Sequence, residues 1–245
     1  MELKVIAYAR NGHTDKFGIP RQSREESPIL TRIVFEPEFR IPEALRGIEG
    51  YSHLWLLWGF SEVPNDPEQR AKDGLSWSPT VRPPRLGGNK RMGVFATRSP
   101  FRPNPIGLSS VKLVGIENGD LIVSGADVLD GTPIYDIKPY LSFSDSHPEA
   151  KNGFAEETKN RTLEVEVLPA LDQHLTSTKP AQHLVSEICY ILSQDPRPGY
   201  QDDPEREYKM DYAGYRITFC VQPKKDDQAD SEPKSVVVVK KIEKI

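Results

Sequence analysis

The 245-residue sequence has little that would cross a membrane or support a disulfide framework. Its longest apolar stretches, around residues 53–60 and 236–239, are far shorter than the roughly 20 residues that a membrane-spanning helix needs. The N-terminus also lacks the basic-then-apolar order of a signal peptide. Cysteine occurs only at Cys189 and Cys220, without metal-ligand spacing, so we expect two core cysteines and no disulfide. These absences predict a soluble, cytoplasmic protein with no membrane partner.

The signature motifs of several common enzyme classes are also missing. There is no G-x-G-x-x-G after the first predicted strand, and no Walker-type loop, H-E-x-x-H, C-x-x-C or G-x-S-x-G. Their absence disfavours dinucleotide oxidoreductases, P-loop enzymes, zincins and serine hydrolases of the usual folds. It also disfavours the nucleotide-binding methyltransferase architecture that is built on a parallel sheet.

Acidic residues are absent between Gly74 and Ile116, although the whole chain carries a net charge of −4. We call this interval the basic segment. It has a local charge of +7, from Arg82, Arg85, Lys90, Arg91, Arg98, Arg102 and Lys112. A concentrated positive charge of this kind favours an anionic partner more than the net charge suggests.

The first 140 residues predict a mainly β domain. Runs rich in β-branched and aromatic residues lie at 3–8, 29–36, 53–60, 92–97, 107–114 and 121–126, separated by proline and glycine. Only residues 42–47 predict a helical turn, so parallel βαβ winding is disfavoured and an antiparallel barrel or sandwich remains. In the apolar run at 53–60, Trp55 and Trp58 are expected on opposite faces, one in the core and one partly exposed.

The rest of the chain predicts a smaller α+β unit. Residues 146–160 are polar and predict a linker, which divides a barrel domain at 1–145 from a C-terminal domain at 161–245. Within the second unit we expect a strand at 163–168, an amphipathic helix at 180–193, a hairpin at 207–221 around Ala213–Gly214 and an edge strand at 235–241.

Arginine, proline and glycine interleave across residues 80–110. The planar guanidinium binds carboxylate or phosphate through two parallel hydrogen bonds, and proline-stiffened loops hold it at a small entropic cost. We therefore expect an anion-binding site here. The alternative is a solvated loop whose counter-charges lie elsewhere.

Three carboxylates lie close together in sequence, at Asp127, Asp130 and Asp136. They suit metal binding or acid–base chemistry, but their spacing matches no calcium loop and Asp130–Gly131 is typical of a turn. We expect no metal site. His53 stands at the start of an apolar run, where it is either a satisfied core or edge residue or a functional group.

Six motifs carry a resemblance to a known family. They are IPRQ (19–22), RGIEGYSHLWLL (46–57), RPPRLGG (82–88), GVFATRSPFRPNPIGLS (93–109), DVLDGTPIYDIKPYL (127–141) and DPRPGY (195–200). In order and spacing they resemble the bacterial TrmO/YaeB-type (TsaA-like) S-adenosylmethionine-dependent tRNA (adenine-N6) methyltransferases. The resemblance covers nearly the whole chain and departs from the family mainly in the linker, in residues 223–234 and in the C-terminal tail.

The resemblance implies an antiparallel β-barrel enzyme that methylates the exocyclic amine of threonylcarbamoyl-adenosine next to the tRNA anticodon. It also implies S-adenosylmethionine as cofactor, bound at or near a homodimer interface. The cofactor-binding residues it implies are Pro20, Arg21, Gln22, Ser52, His53, Leu54, Arg98, Leu108, Leu129, Asp130, Gly131 and Thr132. Whether the C-terminal domain contacts tRNA is left open by the sequence.

Methyl transfer to an acylated amine calls for a group that accepts its proton, because the nitrogen is delocalised into its carbonyl. The candidates are His53, Asp130, Tyr135 and Asp136, and the sequence does not choose among them. For phosphate contacts we expect Arg82, Arg85, Lys90, Arg91 and Arg102. Two other functions remain as alternatives: a non-catalytic RNA-binding β-barrel, and a methyltransferase that acts on a small molecule.

Overall fold

The computed structural model describes residues 2–20, 22–24, 26–61, 77–83, 90–158, 162–168, 179–197, 203–224 and 235–245. In chain order the first eight strands are β1 (Ala7–Arg10), β2 (Leu30–Phe35), β3 (His53–Gly59), β4 (Thr80–Val81), β5 (Met92–Gly93), β6 (Ile106–Glu117), β7 (Asp120–Ser124) and β8 (Pro133–Pro139). Six of them close into a barrel in the order β1-β2-β7-β6-β3-β8, with every neighbouring pair antiparallel. The short strands β4 and β5 form a separate two-stranded ribbon.

Alternation along β3 fills the barrel interior. Leu54, Leu56 and Trp58 are buried, whereas His53 and Trp55 are half-exposed between them. Successive side chains of a strand point to opposite faces, so the buried set faces the core. The prediction that one tryptophan is in the core and the other partly exposed is confirmed.

Strand β6 joins two parts of the barrel wall. Its first half pairs with β3, from Ile106 opposite Gly59 to Lys112 opposite His53, and its second half pairs with β7. A register shift between Leu113 and Gly115 marks a bulge, which bends a long strand so that it can serve both neighbours. The register places Ser109 opposite Leu56 and Leu108 opposite Leu57.

The second sheet contains β9 (Glu164–Val167), β10 (Tyr208–Tyr212), β11 (Tyr215–Pro223) and β12 (Ser235–Lys244), in the order β10-β11-β12-β9. Ala213 and Gly214 have φ values of 50° and 80°, as a type I′ hairpin turn requires, and the predicted hairpin is confirmed. A short helix α1 (Ser142–Asp145) follows the barrel, and α2 (Lys179–Ser193) contributes buried Leu184, Ile188, Ile191 and Leu192 to the core of this sheet. The predicted architecture, an antiparallel barrel followed by an α+β unit, is confirmed.

The connection between β1 and β2 packs into the core of the second sheet. Phe17 stacks at 6.4 Å from the ring of Tyr208, and Ile29 is buried in the same cluster. A Cβ at Gly12 would lie 2.7 Å from the ring of Tyr212, which is itself buried, so only glycine allows this approach. The segment that leaves the barrel is therefore fixed by the second core.

Several local predictions were wrong. The strand expected at 92–97 ends at Gly93, because residues Val94–Ala96 form a 3₁₀ turn in which the carbonyl of Val94 accepts from the N–H and the hydroxyl of Thr97. The expected edge strand at 235–241 is instead central, between β11 and a parallel β9. Strands β4 and β8 were missed, and β1 begins later than predicted.

Two further expectations need correction or stay untested. Cys220 is buried, but Cys189 is partly exposed and is not a core residue. The predicted linker contains a 3₁₀ turn at Gly153–Thr158, and the domain boundaries at residues 145 and 161 stay a prediction. No helix in the described part of the chain is long and apolar enough to cross a membrane.

The burial of His13 predicts an acid-sensitive fold. Its side chain lies 5.1 Å from the Tyr212 ring, Nε2 has no hydrogen-bond partner among the described residues, and burial lowers its pKa from 6.5 to about 4. Because the unfolded chain then takes up a proton more readily than the folded chain, stability is full above pH 6.5 and falls as the pH drops towards 4.

We expect this histidine to account for a loss of about 3 kcal/mol across that interval. In His13→Phe, which keeps an aromatic ring against Tyr212, the fall in unfolding free energy between neutral and acidic pH should be smaller by that amount. Denaturant titrations at a series of pH values measure it. His147→Phe, at an exposed position, should retain the acid dependence of the original chain, and an unchanged dependence in His13→Phe would contradict the assignment.

Candidate functional site

A cavity of about 640 Å³ opens where β3 and β6 meet three connecting segments. Its walls come from the β1–β2 connection, from the loop at residues 97–102 and from the segment 127–132 that leads into β8. The volume lies within the range that small-molecule sites occupy. The cavity is therefore a candidate ligand site at one end of the barrel.

A chain of hydrogen bonds joins two residues of the cavity wall, Trp58 and Asp127, through the buried side chain of Ser109. The indole Nε1–H of Trp58 donates to Ser109 Oγ at 2.9 Å, and the Ser109 hydroxyl in turn donates to a carboxylate oxygen of Asp127. Burial raises the pKa of Asp127, and this effect outweighs the lowering by the Ser109 hydroxyl, by backbone N–H groups and by the charge of Arg98. Desolvation of an ionised carboxylate is the physical cause of the rise.

Two arginines of the basic segment line the cavity in different ways. Arg98 is exposed, lies near Asp127 and donates to the side-chain oxygen of Gln22. Arg102 is half-buried and donates to the carbonyls of Thr97 at 2.7 Å and Val94 at 3.3 Å. Arg98 is thus placed to meet an anionic ligand, whereas Arg102 holds the loop in shape.

Aromatic and aliphatic side chains supply the apolar part of the lining. Phe101 and Leu108 are both 53% exposed at this surface, and Trp55 and Phe60 contribute further rings. Trp55 is held by a 2.8 Å hydrogen bond from Nε1 to Asp145. Flat rings beside a cation suit a ligand that combines an aromatic base with a carboxylate.

Six of the predicted cofactor-binding residues line this cavity: Pro20, Gln22, Arg98, Leu108, Leu129 and Thr132. Asp130 and Gly131 lie in the same turn, but the Asp130 carboxylate accepts the N–H of Asn11 at 3.1 Å and lies 3.4 Å from Arg10. Arg21 lies outside the described residues. The structure therefore brings half of the twelve predicted residues to the cavity lining and places two more in the adjoining turn.

The other predicted group, Ser52, His53 and Leu54, does not line the cavity. Leu54 is fully buried in the barrel core. His53 lies on the outer face of β3, with Ser52 Oγ 2.9 Å from its Nδ1 and the ring of Tyr140 at 6.2 Å. The predicted cofactor residues thus form two groups in one protomer.

The predicted proton acceptors also lie apart from the cavity lining. Tyr135 packs against Gly59, and Asp136 forms an ion pair with Lys138 at 2.7 Å. Asp127 was not among the sequence candidates, yet it is the carboxylate that the structure places in the lining. The one feature of the sequence that pointed to Asp127 was its position in the group of three carboxylates with Asp130 and Asp136.

The residues predicted to contact phosphate have different environments. Arg82, Lys90 and Arg91 are exposed beside the β4–β5 ribbon, and Arg91 donates to Thr80 Oγ1 at 3.0 Å. Arg85 lies outside the described residues. No group of three metal-ligating side chains occurs in the described ranges.

Comparisons with known proteins agree on one family. Residues 8–146 match the tRNA-methyltransferase O N-terminal domain, and residues 160–233 match the TrmO C-terminal domain. A tRNA (adenine(37)-N6)-methyltransferase from Eikenella corrodens is 46% identical over 70% of this chain and 92% of its own length. An enzyme of the same name from Escherichia coli K12 is 39% identical over 83% of this chain and 85% of its own length.

Solved structures show the same relationship. A crystal structure of TrmO covers 99% of both chains with a TM-score of 0.74 at 29% identity. TrmO from Pseudomonas aeruginosa covers 100% of this chain and 97% of its own, with a TM-score of 0.73 at 30% identity. Another P. aeruginosa relative, 42% identical over 84% of this chain and 86% of its own length, is provisionally named an S-adenosylmethionine-dependent methyltransferase.

Proposed function

This chain belongs to the TrmO family of tRNA methyltransferases, and we propose that it methylates the exocyclic N6 of adenine 37 in tRNA. The proposal extends to threonylcarbamoyl-adenosine as the substrate nucleoside, beside the anticodon, and to S-adenosylmethionine as the methyl donor. It also extends to a homodimer that works in the cytoplasm. The observation that carries the proposal is the cavity of a TrmO-type barrel, in which an exposed arginine, aromatic walls and a buried carboxylate meet.

The cavity fits S-adenosylmethionine chemically. Arg98 offers a guanidinium for the amino-acid carboxylate, and the rings of Trp55 and Phe101 suit the adenine and the positively charged sulfur. When bound, this cofactor supplies an electrophilic methyl group. The proposed site residues Pro20, Gln22, Leu129 and Thr132 would hold it against the wall formed by the β1–β2 connection and the turn before β8.

In methyl transfer the main task of this chain is to align the reacting groups. Displacement at a methyl carbon requires nucleophile, methyl and leaving sulfur in one line, so fixed walls lower the barrier by holding the reactants in position. The hydrogen bonds from Arg102 to the Val94 and Thr97 carbonyls keep one such wall rigid.

Mass spectrometry of tRNA nucleosides tests the proposed activity. The purified chain, given S-adenosylmethionine and tRNA that carries threonylcarbamoyl-adenosine, should convert this nucleoside to its methylated form. The same tRNA lacking the modification is the control for the substrate. Binding of tRNA without any methylated product would favour a non-catalytic RNA-binding barrel, and methylation of a small acceptor without tRNA would favour a metabolite methyltransferase.

Replacing Arg98 by alanine should weaken cofactor binding. Loss of a charge-assisted hydrogen-bonded pair costs about 1.5–3 kcal/mol, so we expect affinity for S-adenosylmethionine to fall by roughly 10- to 150-fold. Calorimetric titration measures it. The matched control Arg46→Ala removes an exposed arginine outside this cavity, and equal affinity in both variants would contradict the role of Arg98.

The separation of the predicted cofactor residues supports a homodimer. Ser52 and His53 do not line the cavity of their own protomer, and a second copy would bring them to it at the interface that the family resemblance implies. We expect light scattering at micromolar concentration to give the mass of two chains. A single-chain mass would contradict this part of the proposal.

The basic segment should make tRNA binding sensitive to salt. Each phosphate contact releases counterions, so Lys90→Ala and Arg91→Ala should each lower the slope of log affinity against log salt by about one. Affinity for S-adenosylmethionine should not change in either variant. Lys4→Ala, which removes an exposed lysine paired with Glu38 at 3.6 Å, is the control, and normal salt slopes in Lys90→Ala and Arg91→Ala would place the phosphate contacts elsewhere.

A further inference from the structure

Asp127 differs from the other acidic residues in where it lies. Among the described residues that line the cavity it is the single carboxylate, and the charged groups that share the lining are Lys16, Arg98 and Arg102. Lys16 and Arg98 are exposed, and Arg102 is engaged by backbone carbonyls. The buried carboxylate therefore faces a cavity whose cations are mostly in contact with solvent.

The hydrogen bonds around Asp127 determine which group donates and which accepts. An indole N–H only donates, so Ser109 Oγ must accept from Trp58, and the one hydroxyl hydrogen of Ser109 is directed to Asp127. Backbone N–H groups of Asp127 and Ser23 also point to this carboxylate. All of these neighbours are donors, so they orient the carboxylate as an acceptor and none of them competes to take a proton.

This arrangement has an energetic cost. A carboxylate removed from water is destabilising unless a cation pairs with it, and no ion pair joins Asp127 to a cation among the described residues. The raised pKa of Asp127 reflects that cost. A general base works best when its pKa lies near the working pH. A raised pKa brings a carboxyl group closer to that condition while it can still ionise.

We propose that Asp127 is the general base that accepts the N6 proton of the substrate adenine, oriented by the Ser109 hydroxyl that Trp58 holds in place. The inference rests on the proposed function. It names a residue that the sequence candidates His53, Asp130, Tyr135 and Asp136 did not include. Asp130 accepts from Asn11 and Asp136 pairs with Lys138, so neither carboxylate is presented to the cavity as Asp127 is.

The proton and charge balance of the step is complete. The amine nitrogen forms a bond to the methyl carbon, the bond from sulfur to that carbon breaks, and its electron pair stays on sulfur. The amine proton passes to an oxygen of Asp127, which becomes a neutral acid as the positive charge on sulfur disappears. Loss of two opposite charges together is favoured in a poorly solvated site, and Asp127 then releases the proton to water.

The first test compares Asp127→Asn with the original chain in both turnover and binding. We expect turnover to fall by about 10²- to 10⁴-fold, while KM for tRNA and the calorimetric affinity for S-adenosylmethionine change by less than about twofold. Asp211→Asn, which removes a carboxylate paired with Arg216 on the second sheet, should leave turnover unchanged.

A second test uses Ser109→Ala and does not depend on the behaviour of Asp127→Asn. The Ser109 hydroxyl lowers the pKa of Asp127, so its loss should raise that pKa further. The acidic limb of the pH–rate profile should therefore move to higher pH in Ser109→Ala, whereas a residue that only supports the fold would lower the rate equally at all pH values.

The outcomes separate this inference from the proposed function. If the original chain methylates tRNA but Asp127→Asn keeps its turnover, or loses cofactor affinity in proportion to turnover, Asp127 is not the base. An acidic limb that stays in place in Ser109→Ala would also overturn it. If the original chain itself methylates no tRNA, the proposed function fails first.

Discussion

The fixed path of the β1–β2 connection is the constraint on which the site depends. Gly12 approaches the Tyr212 ring so closely that no side chain fits, and Phe17 and Ile29 are packed in the core of the second sheet. Between these anchors the same connection supplies Pro20 and Gln22 to the cavity wall. The second sheet contributes no described residue to the cavity lining. Its core nevertheless positions the β1–β2 connection, which forms one wall of the cavity. Disturbing the second core should therefore loosen a site that it does not touch.

A second constraint is electrostatic and works against stability. Asp120, the first residue of β7, is a buried carboxylate that forms ion pairs with Arg40 at 2.8 Å and Arg32 at 3.5 Å. Asp127 is partly buried, and among the described residues its neighbours are hydrogen-bond donors and an exposed arginine. Ion pairing of this kind recovers part of the cost of burying a charge. The contrast between the two carboxylates indicates that Asp120 serves the fold, whereas the environment of Asp127 is suited to proton transfer.

Sequence patterns predicted those elements whose determinants are local. The alternation in β3, the amphipathic period of α2 and the Ala213–Gly214 turn each lie within a short window, and the structure has all three. The position of β12 inside its sheet depends on pairing with a distant β9, which no window reveals. In the same way Trp58, Ser109 and Asp127 meet only through the β3–β6 register and the path of the next segment. The resemblance to a family indicated six of the residues that line the cavity, whereas the environment of Asp127 became visible only in the structure.

The distribution of charge is compatible with the proposed binding of an anionic substrate by a chain whose net charge is −4. On the second sheet the cations are largely neutralised: Lys224 pairs with Glu164, Arg216 with Asp211, Lys240 with Glu207 and Lys241 with Glu243. The basic segment contains no carboxylate of its own, so its cations cannot pair within the segment, and it contributes positive charge to both the ribbon and the cavity. Lys90 and Arg91 precede the 3₁₀ turn at Val94–Ala96, and Arg98 and Arg102 follow it. Arg102 holds this loop through hydrogen bonds to its own backbone. An RNA bound by the ribbon cations, as we propose, would therefore lie at a defined position relative to Arg98 and Asp127.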